Sequence, residues 1–220
     1  MTLTEENYIK GIYHLGKQGK ESVSTNAVAK AMKTKASSAT DMIKKLSDKQ
    51  LVNYIKYQGV SLTTQGQLAA KSIIRKHRLW EVFLVEKLNF NWDEVHDVAE
   101  QLEHIKSQKL IDEIDALLGF PTVDPHGDLI PDKNGNLHPT KKRLLSSFEK
   151  NESGICTGVQ DSSSAFLQFL DKQGIALGKQ ITVIAKEPFD DSITIKIDDR
   201  EMTISKKIAT NLYLKIDEHL

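Results

Sequence analysis

The stretch Ser37–Lys49, SSATDMIKKLSDK, sets Ala39, Met42, Ile43 and Leu46 on one helical face and Ser37, Thr40, Asp41, Lys44 and Lys45 on the other. Working outward, a short helix is expected after Ser24 or Thr25, with Ala27, Val28 and Ala31 inward and a turn at Lys33 to Lys35. On the other side, Leu51 to Lys56 and Val60 to Thr63 are strand-like and flank Tyr57-Gln58-Gly59, the pattern of a hairpin. Helix, tight turn, helix and hairpin make a winged helix. In that architecture the third helix enters the major groove, short hydroxyls near its N-terminus meet phosphates and thymine methyls, and the wing touches the backbone. Ser37, Ser38, Thr40 and Asp41 are placed for this, with Lys44, Lys45 and Lys56 supplying charge. The plainer alternative is that the two serines cap the helix and the lysines solvate it, and capping is compatible with both readings.

Charge separates the alternatives. The chain of 220 residues has no net charge, yet residues 1 to 80 hold 14 Lys/Arg against 5 Asp/Glu, and residues 81 to 150 hold 8 against 14. A basic segment joined to acidic ones is the pattern of a polyanion-binding domain attached to something else. The single cysteine, Cys156, cannot form an internal disulfide, as suits a reducing cytosol. No apolar run long enough to span a membrane and no secretion signal is read, so a cytoplasmic protein with no membrane partner is expected.

Before the recognition helix, Thr2 and Glu5 form a capping box, and Tyr8, Ile12 and Leu15 continue a first helix that Gly16 and Gly19 end. After the wing, a long amphipathic helix from Thr64 towards Leu88 carries His77 and Glu81 one turn apart, in spite of Gly66 near its start. The next helix, VHDVAEQLEHI at Val95–Ile105, places His96, Glu100, Glu103 and His104 within an arc of about 100° and its apolar residues opposite. Imidazoles and carboxylates so arranged suit a divalent first-row cation, although a solvated face is the default for such a helix. A further helix from about Ser107 to Leu118 completes an acidic block whose leftover apolar faces suit a homodimer. From Gly119 to about Ser164 the chain is loop-like, with prolines clustered from Pro121 to Pro139 and a donor-rich turn Asp124-Pro125-His126-Gly127-Asp128. A short helix at Ala165 to Gln173 and alternating runs at Gln180–Ala185, Ser192–Asp198 and Glu201–Ser205 then suggest a small β-rich domain.

Several of these stretches together carry a resemblance. They are Glu6-Asn7-Tyr8-Ile9, Ser37 to Met42 with Lys45-Leu46, Lys56 to Gly59 before Leu62-Thr63, Arg75 to Leu79 with Glu81, and Val95-His96-Asp97 with Glu103-His104. In this order the chain resembles, over essentially its whole length, the metal-dependent repressors of the diphtheria toxin repressor family, in its three-domain form. The resemblance implies a mainly α chain with a β-rich C-terminal part: a winged helix-turn-helix DNA-binding domain at 1–64, a helical metal-binding and dimerisation domain at 65–120, a linker at 121–153 and an SH3-like small barrel at 154–220. It implies a regulatory metal site of Asn7, Glu100, Glu103 and His104 and a second of His77, Glu81 and His96, with Asp124, His126 and, from the third domain, Asp161 as additions. Where iron-responsive members carry methionine and cysteine, this chain has Asn7 and Glu100, which turns the expected cofactor towards Mn2+ over Fe2+. Lys10 stands where some manganese members carry a carboxylate for a closely spaced second ion.

The expected function is a metal-activated repressor of metal-uptake genes that binds a palindromic operator in double-stranded DNA as a homodimer, and not an enzyme. The alternatives are a winged-helix regulator that no metal gates, and a metallohydrolase built on His77, Glu81, His96 and Glu100. The second lacks an HExxH motif, an evident nucleophile and a phosphate-cradling loop. A β-rich tail that recruits a protein partner is a further possibility.

Overall fold

The structure, a computed structural model, describes residues 1–138 and 141–216. Pro139 of the expected linker and the last four residues of the expected barrel lie outside the described residues. The chain forms two compact units, one of Met1–His77, Leu102–Lys106 and Pro131–Asn136, the other of Arg78–Gln101, Ser107–Ile130 and Leu137–Leu220. The division passes through a helix after His77.

The first unit is the winged helix. Helix α1 (Leu3–Leu15) starts at a capping box: Thr2 Oγ1 accepts the Glu5 N–H at 3.3 Å, and Glu5 Oε2 accepts the Thr2 N–H at 3.0 Å. Helix α2 (Thr25–Ala31) is capped by Ser24. Helix α3 (Ala36–Asp48) has Lys35 at its N-cap with no side-chain hydrogen bond, so Ser37 and Ser38 do not cap it and lie exposed in its first turn. The apolar spacing does the rest: Ile9, Val28, Ala39, Ile43 and Leu46 are fully buried in one core. Each buried Ile or Leu contributes roughly 1.5–3 kcal/mol.

Strands β1 (Val52–Ile55) and β2 (Gly59–Leu62) pair antiparallel from Val52↔Leu62 to Ile55↔Gly59. Val23 and Val60 exchange both backbone hydrogen bonds at 2.8 Å, tying β2 to the stretch before α2. At the tip Tyr57 has φ +68° and is 93% exposed. Helix α4 (Thr64–Leu88) follows at once. The glycine that weakens its first turn has a tertiary reason, because a Cβ on Gly66 would stand 1.9 Å from the Leu51 carbonyl oxygen.

Helix α5 (Val95–Leu102) ends one residue before Glu103, so Glu103 and His104 sit on the turn beyond it and not on the helical face expected for them. The Ile105 N–H bonds the Leu102 carbonyl at 3.1 Å, closing that turn. Helix α6 (Gln108–Leu117) is capped by Ser107.

In the second unit a six-stranded, wholly antiparallel SH3-like sheet runs β3-β8-β4-β5-β6-β7. Its strands are β3 (Lys142–Leu144), β4 (Ser153–Val159), β5 (Gln180–Lys186), β6 (Ile193–Ile197), β7 (Arg200–Ile204) and β8 (Leu212–Lys215). Helix α7 (Ser164–Gln173) lies between β4 and β5, and the short α8 (Lys206–Ala209) between β7 and β8. The sheet's core gathers Phe148, Leu167, Leu170, Ile181, Ile195 and Leu214, and Trp92 joins it from the loop before α5. Strands β3 and β4 occupy part of the stretch whose composition reads as loop. Among the described residues no helix is long and apolar enough to cross a membrane.

Candidate metal centre

In the first unit α1, α4 and the turn after α5 bring together Glu6, Lys10, His77, Glu103 and His104, and Asn7 follows Glu6 on α1. Glu103 is fully buried. Its Oε2 lies 2.7 Å from His77 Nδ1, and Lys10 Nζ lies 2.7 and 2.8 Å from its two oxygens. Burial would raise this carboxyl, but His77 and Lys10 outweigh it and hold the pKa below the ordinary value. His104 Nδ1 lies 2.6 Å from Glu6 Oε2, and its Nε2 is 3.8 Å from Glu103 Oε1. Asn7 Oδ1 is buried with no hydrogen-bond partner. An amide oxygen left so is costly unless something accepts its lone pairs, and a cation does that.

The second unit holds Glu81, His96, Glu100, Asp124 and His126. Glu81, Asp124 and His126 each offer a donor atom within 4.8 Å of the others. Glu81 Oε1 is 3.6 Å from His126 Nδ1 and 3.4 Å from His96 Nδ1, and His96 Nε2 is 3.8 Å from Glu100 Oε1. The His126 Nε2–H donates to the Trp92 carbonyl at 2.8 Å, which turns Nδ1 to Glu81. Burial would lower the His126 pKa, but Glu81 and Asp124 hold it up at about 9. Asp124 is pushed up to about 7 by burial and by Glu81, against the pull of Arg78. Its Oδ1 accepts the His126 and Asp128 N–H groups, both at 2.9 Å, and Arg78 Nε is 3.2 Å from Oδ2. The loop is pressed onto β4: a Cβ on Gly158 would stand 2.5 Å from the His126 carbonyl oxygen, and the Val159 N–H donates to that oxygen at 2.8 Å. Asp161 is exposed, accepts the Ser163 N–H at 2.9 Å and belongs to none of the candidate clusters among the described residues.

On the DNA-facing candidates, Ser37, Ser38, Asp41 and Lys44 are exposed on α3. The Thr40 side chain is half-buried, and its hydroxyl donates to the Ala36 carbonyl at 2.8 Å. Lys56 Nζ stands 5.0 Å from the Tyr57 ring centroid at the wing tip. Lys45 Nζ instead lies 3.0 Å from Glu5 Oε1. Glu5, Glu6, Arg78 and the Trp92 carbonyl were missed by sequence reasoning. Glu5 was visible only as a cap, and the others depend on contacts between residues far apart in the chain.

Family models match the chain in three consecutive segments: the N-terminal DNA-binding domain of iron-dependent repressors at 1–60, their metal-binding and dimerisation domain at 63–132, and a FeoA domain at 143–216. A manganese-dependent transcriptional repressor solved in complex with manganese is 34% identical, covers 97% of this chain and 100% of its own, and superposes with a TM-score of 0.72. This chain belongs to the family of iron-dependent repressors. Such repressors are metal-binding, DNA-binding transcription regulators with a dimerisation domain. The regulator MntR of Oceanobacillus iheyensis is 34% identical over 119 residues, 54% of this chain and 80% of that protein. A probable metal transport system membrane protein of Chlamydia trachomatis is 42% identical over 86 residues, 39% of this chain, but the chain spans only 19% of that relative's length.

Proposed function

We propose that this member is a cytoplasmic homodimer that Mn2+, or Fe2+, activates to repress metal-uptake genes at a palindromic operator. The observation that carries the reading is the buried, unpartnered Oδ1 of Asn7 on α1, in the unit where Glu103 and His104 also converge. Asn7, Glu100, Glu103 and His104 would hold the regulatory ion, and His77, Glu81 and His96, with Asp124 and His126, would hold a second. Asp161 is left as a ligand only if its turn rearranges. Oxygen and imidazole donors without a thiolate suit Mn2+ and Fe2+, and the one cysteine is buried in the C-terminal core. When bound, the ion supplies positive charge that draws these carboxylates together. Lys10 supplies part of that charge already, so Glu103 would hold an ion only once Lys10 had released it.

DNA binding falls to residues 1–64, with Ser37, Ser38, Thr40, Asp41, Lys44 and Lys56 facing the duplex, and the uncapped N-terminus of α3 offers amide donors to phosphate. Metal binding and dimerisation fall to 65–120, a linker to 121–153 and the SH3-like domain to 154–220, with the linker lending the strand Lys142–Leu144 to its sheet. The protein works by occupying DNA and not by turnover. Metal and operator must strengthen each other's binding, by about 5–150-fold for a typical coupling. The test is operator affinity at fixed salt with Mn2+, Fe2+, Zn2+ and chelator in turn. Tight binding only with metal establishes the switch and ranks the ions, whereas equal affinity in chelator removes it.

A further inference from the structure

One group of contacts in the first unit serves neither the metal candidates nor the apolar core. Glu5 is fully buried at the start of α1. Lys49 Nζ lies 2.8 and 2.9 Å from its two oxygens, and Lys45 Nζ 3.0 Å from Oε1. Lys45 is in the last turn of α3 and Lys49 is its C-cap, one helical turn on. Both ammonium groups come from half-exposed side chains, so the lysines bend to the carboxylate. A capping glutamate needs only the Thr2 N–H, and two lysines are more than a cap requires.

We propose that Glu5 is a positioning residue for DNA recognition: it clamps the C-terminal end of α3 to α1 and withholds Lys45 and Lys49 from the phosphates. On α1, Asn7 and Lys10 lie about 140–200° round the helix from Glu5. The helix therefore carries the candidate ligand Asn7 and the Glu103-bound Lys10 on one side and the recognition-helix clamp on the other, and a shift of α1 is passed to α3. The clamp also divides the lysines of α3. Lys44 is left for DNA, while Lys45 and Lys49, which share the face turned to α1, are spent on setting the angle of the helix. Free lysines bind any duplex, so tying two of them down suppresses sequence-independent affinity. The inference rests on the DNA-binding reading and adds which side chains set its specificity.

The experiment uses the full-length protein with Mn2+, a fluorescent duplex from the promoter of its own gene, a scrambled duplex of equal length, and a series of KCl concentrations. In E5Q the released lysines reach phosphates. With two lysines released, the slope of log K against log salt steepens by about two units per protomer on either duplex, and the preference for the promoter falls about tenfold. A slope and a preference equal to wild type overturn the proposal. K49M leaves Lys45 to neutralise Glu5, so it answers even if E5Q does not fold. Its slope matches wild type if Lys49 is withheld, while a slope flatter by about one unit overturns the proposal. K44M flattens the slope and calibrates the measurement. Wild type's preference for the promoter tests the repressor reading separately, because the clamp is read only from differences between variants on either duplex.

Discussion

Two carboxylates, one in each unit, are nearly equally hidden from solvent and are pushed in opposite directions. Glu103 is 0% exposed and Asp124 is 4% exposed. The first is held ionised by Lys10 and His77. The second faces another carboxylate, Glu81, and has Arg78 as its main opposing charge, so it rises to about 7. Depth of burial does not decide the charge state of an acid in this protein. The sign and closeness of its neighbours do.

The largest effect that sharpens this contrast is on Glu103. In chelator, E103Q leaves Lys10 and His77 without their buried counter-charge and is expected to lose about 3 kcal/mol of stability in denaturant unfolding. A loss below about 1 kcal/mol would show that Lys10 turns out to solvent at little cost, and would break the comparison. Asp124 should behave otherwise. D124N keeps an oxygen for the His126 and Asp128 N–H groups and removes the charge that Glu81 and burial disfavour. For wild type the folded pKa, about 7, lies above the ordinary aspartate value of 3.8 that holds in the unfolded chain, so this group's contribution is fully present below pH 3.8 and is lost as pH rises through 7. The groups facing it are Glu81, Arg78, Asp128 and His126. In chelator D124N should therefore be less stable than wild type by no more than about 1 kcal/mol at pH 5 and should gain on it by pH 8. A parallel pair of pH–stability curves refutes the assignment. The smallest effect belongs to the exposed pair Lys17–Glu21, whose 2.6 Å separation is as short as any but whose side chains are 72% and 55% exposed. Replacing Glu21 by Ala should change stability by less than about 0.5 kcal/mol.

The same reasoning explains what the sequence disclosed. Helices α1 to α6 and the wing follow from apolar spacing, caps and the Tyr57-Gln58-Gly59 turn, because each of these signals is local. The candidate ligands were legible through the resemblance, and Asn7, Glu103 and His104 do gather in one unit. What local signals could not give is where α5 stops: the helical period continues through Glu103 and His104, while the chain turns at Leu102. Strand β3 is only Lys-Arg-Leu, and β4 carries Gly154 and Gly158, which interrupt its alternation. Those glycines are explained only by neighbours distant in sequence, as Gly66 is by Leu51. Lys45 sits on the polar face of α3 by period, and its attachment to Glu5 depends on how α1 packs.

The seating of His126 on β4 has a consequence for the order in which the protein matures. Strand β4 is flanked in the sheet by β5 and β8, both of which follow it in the chain. A chain still on the ribosome, lacking β8, has no completed sheet to hold the loop of Asp124 and His126 in place. Those two donors are therefore seated only after β8, far beyond them in the chain, has been made and paired.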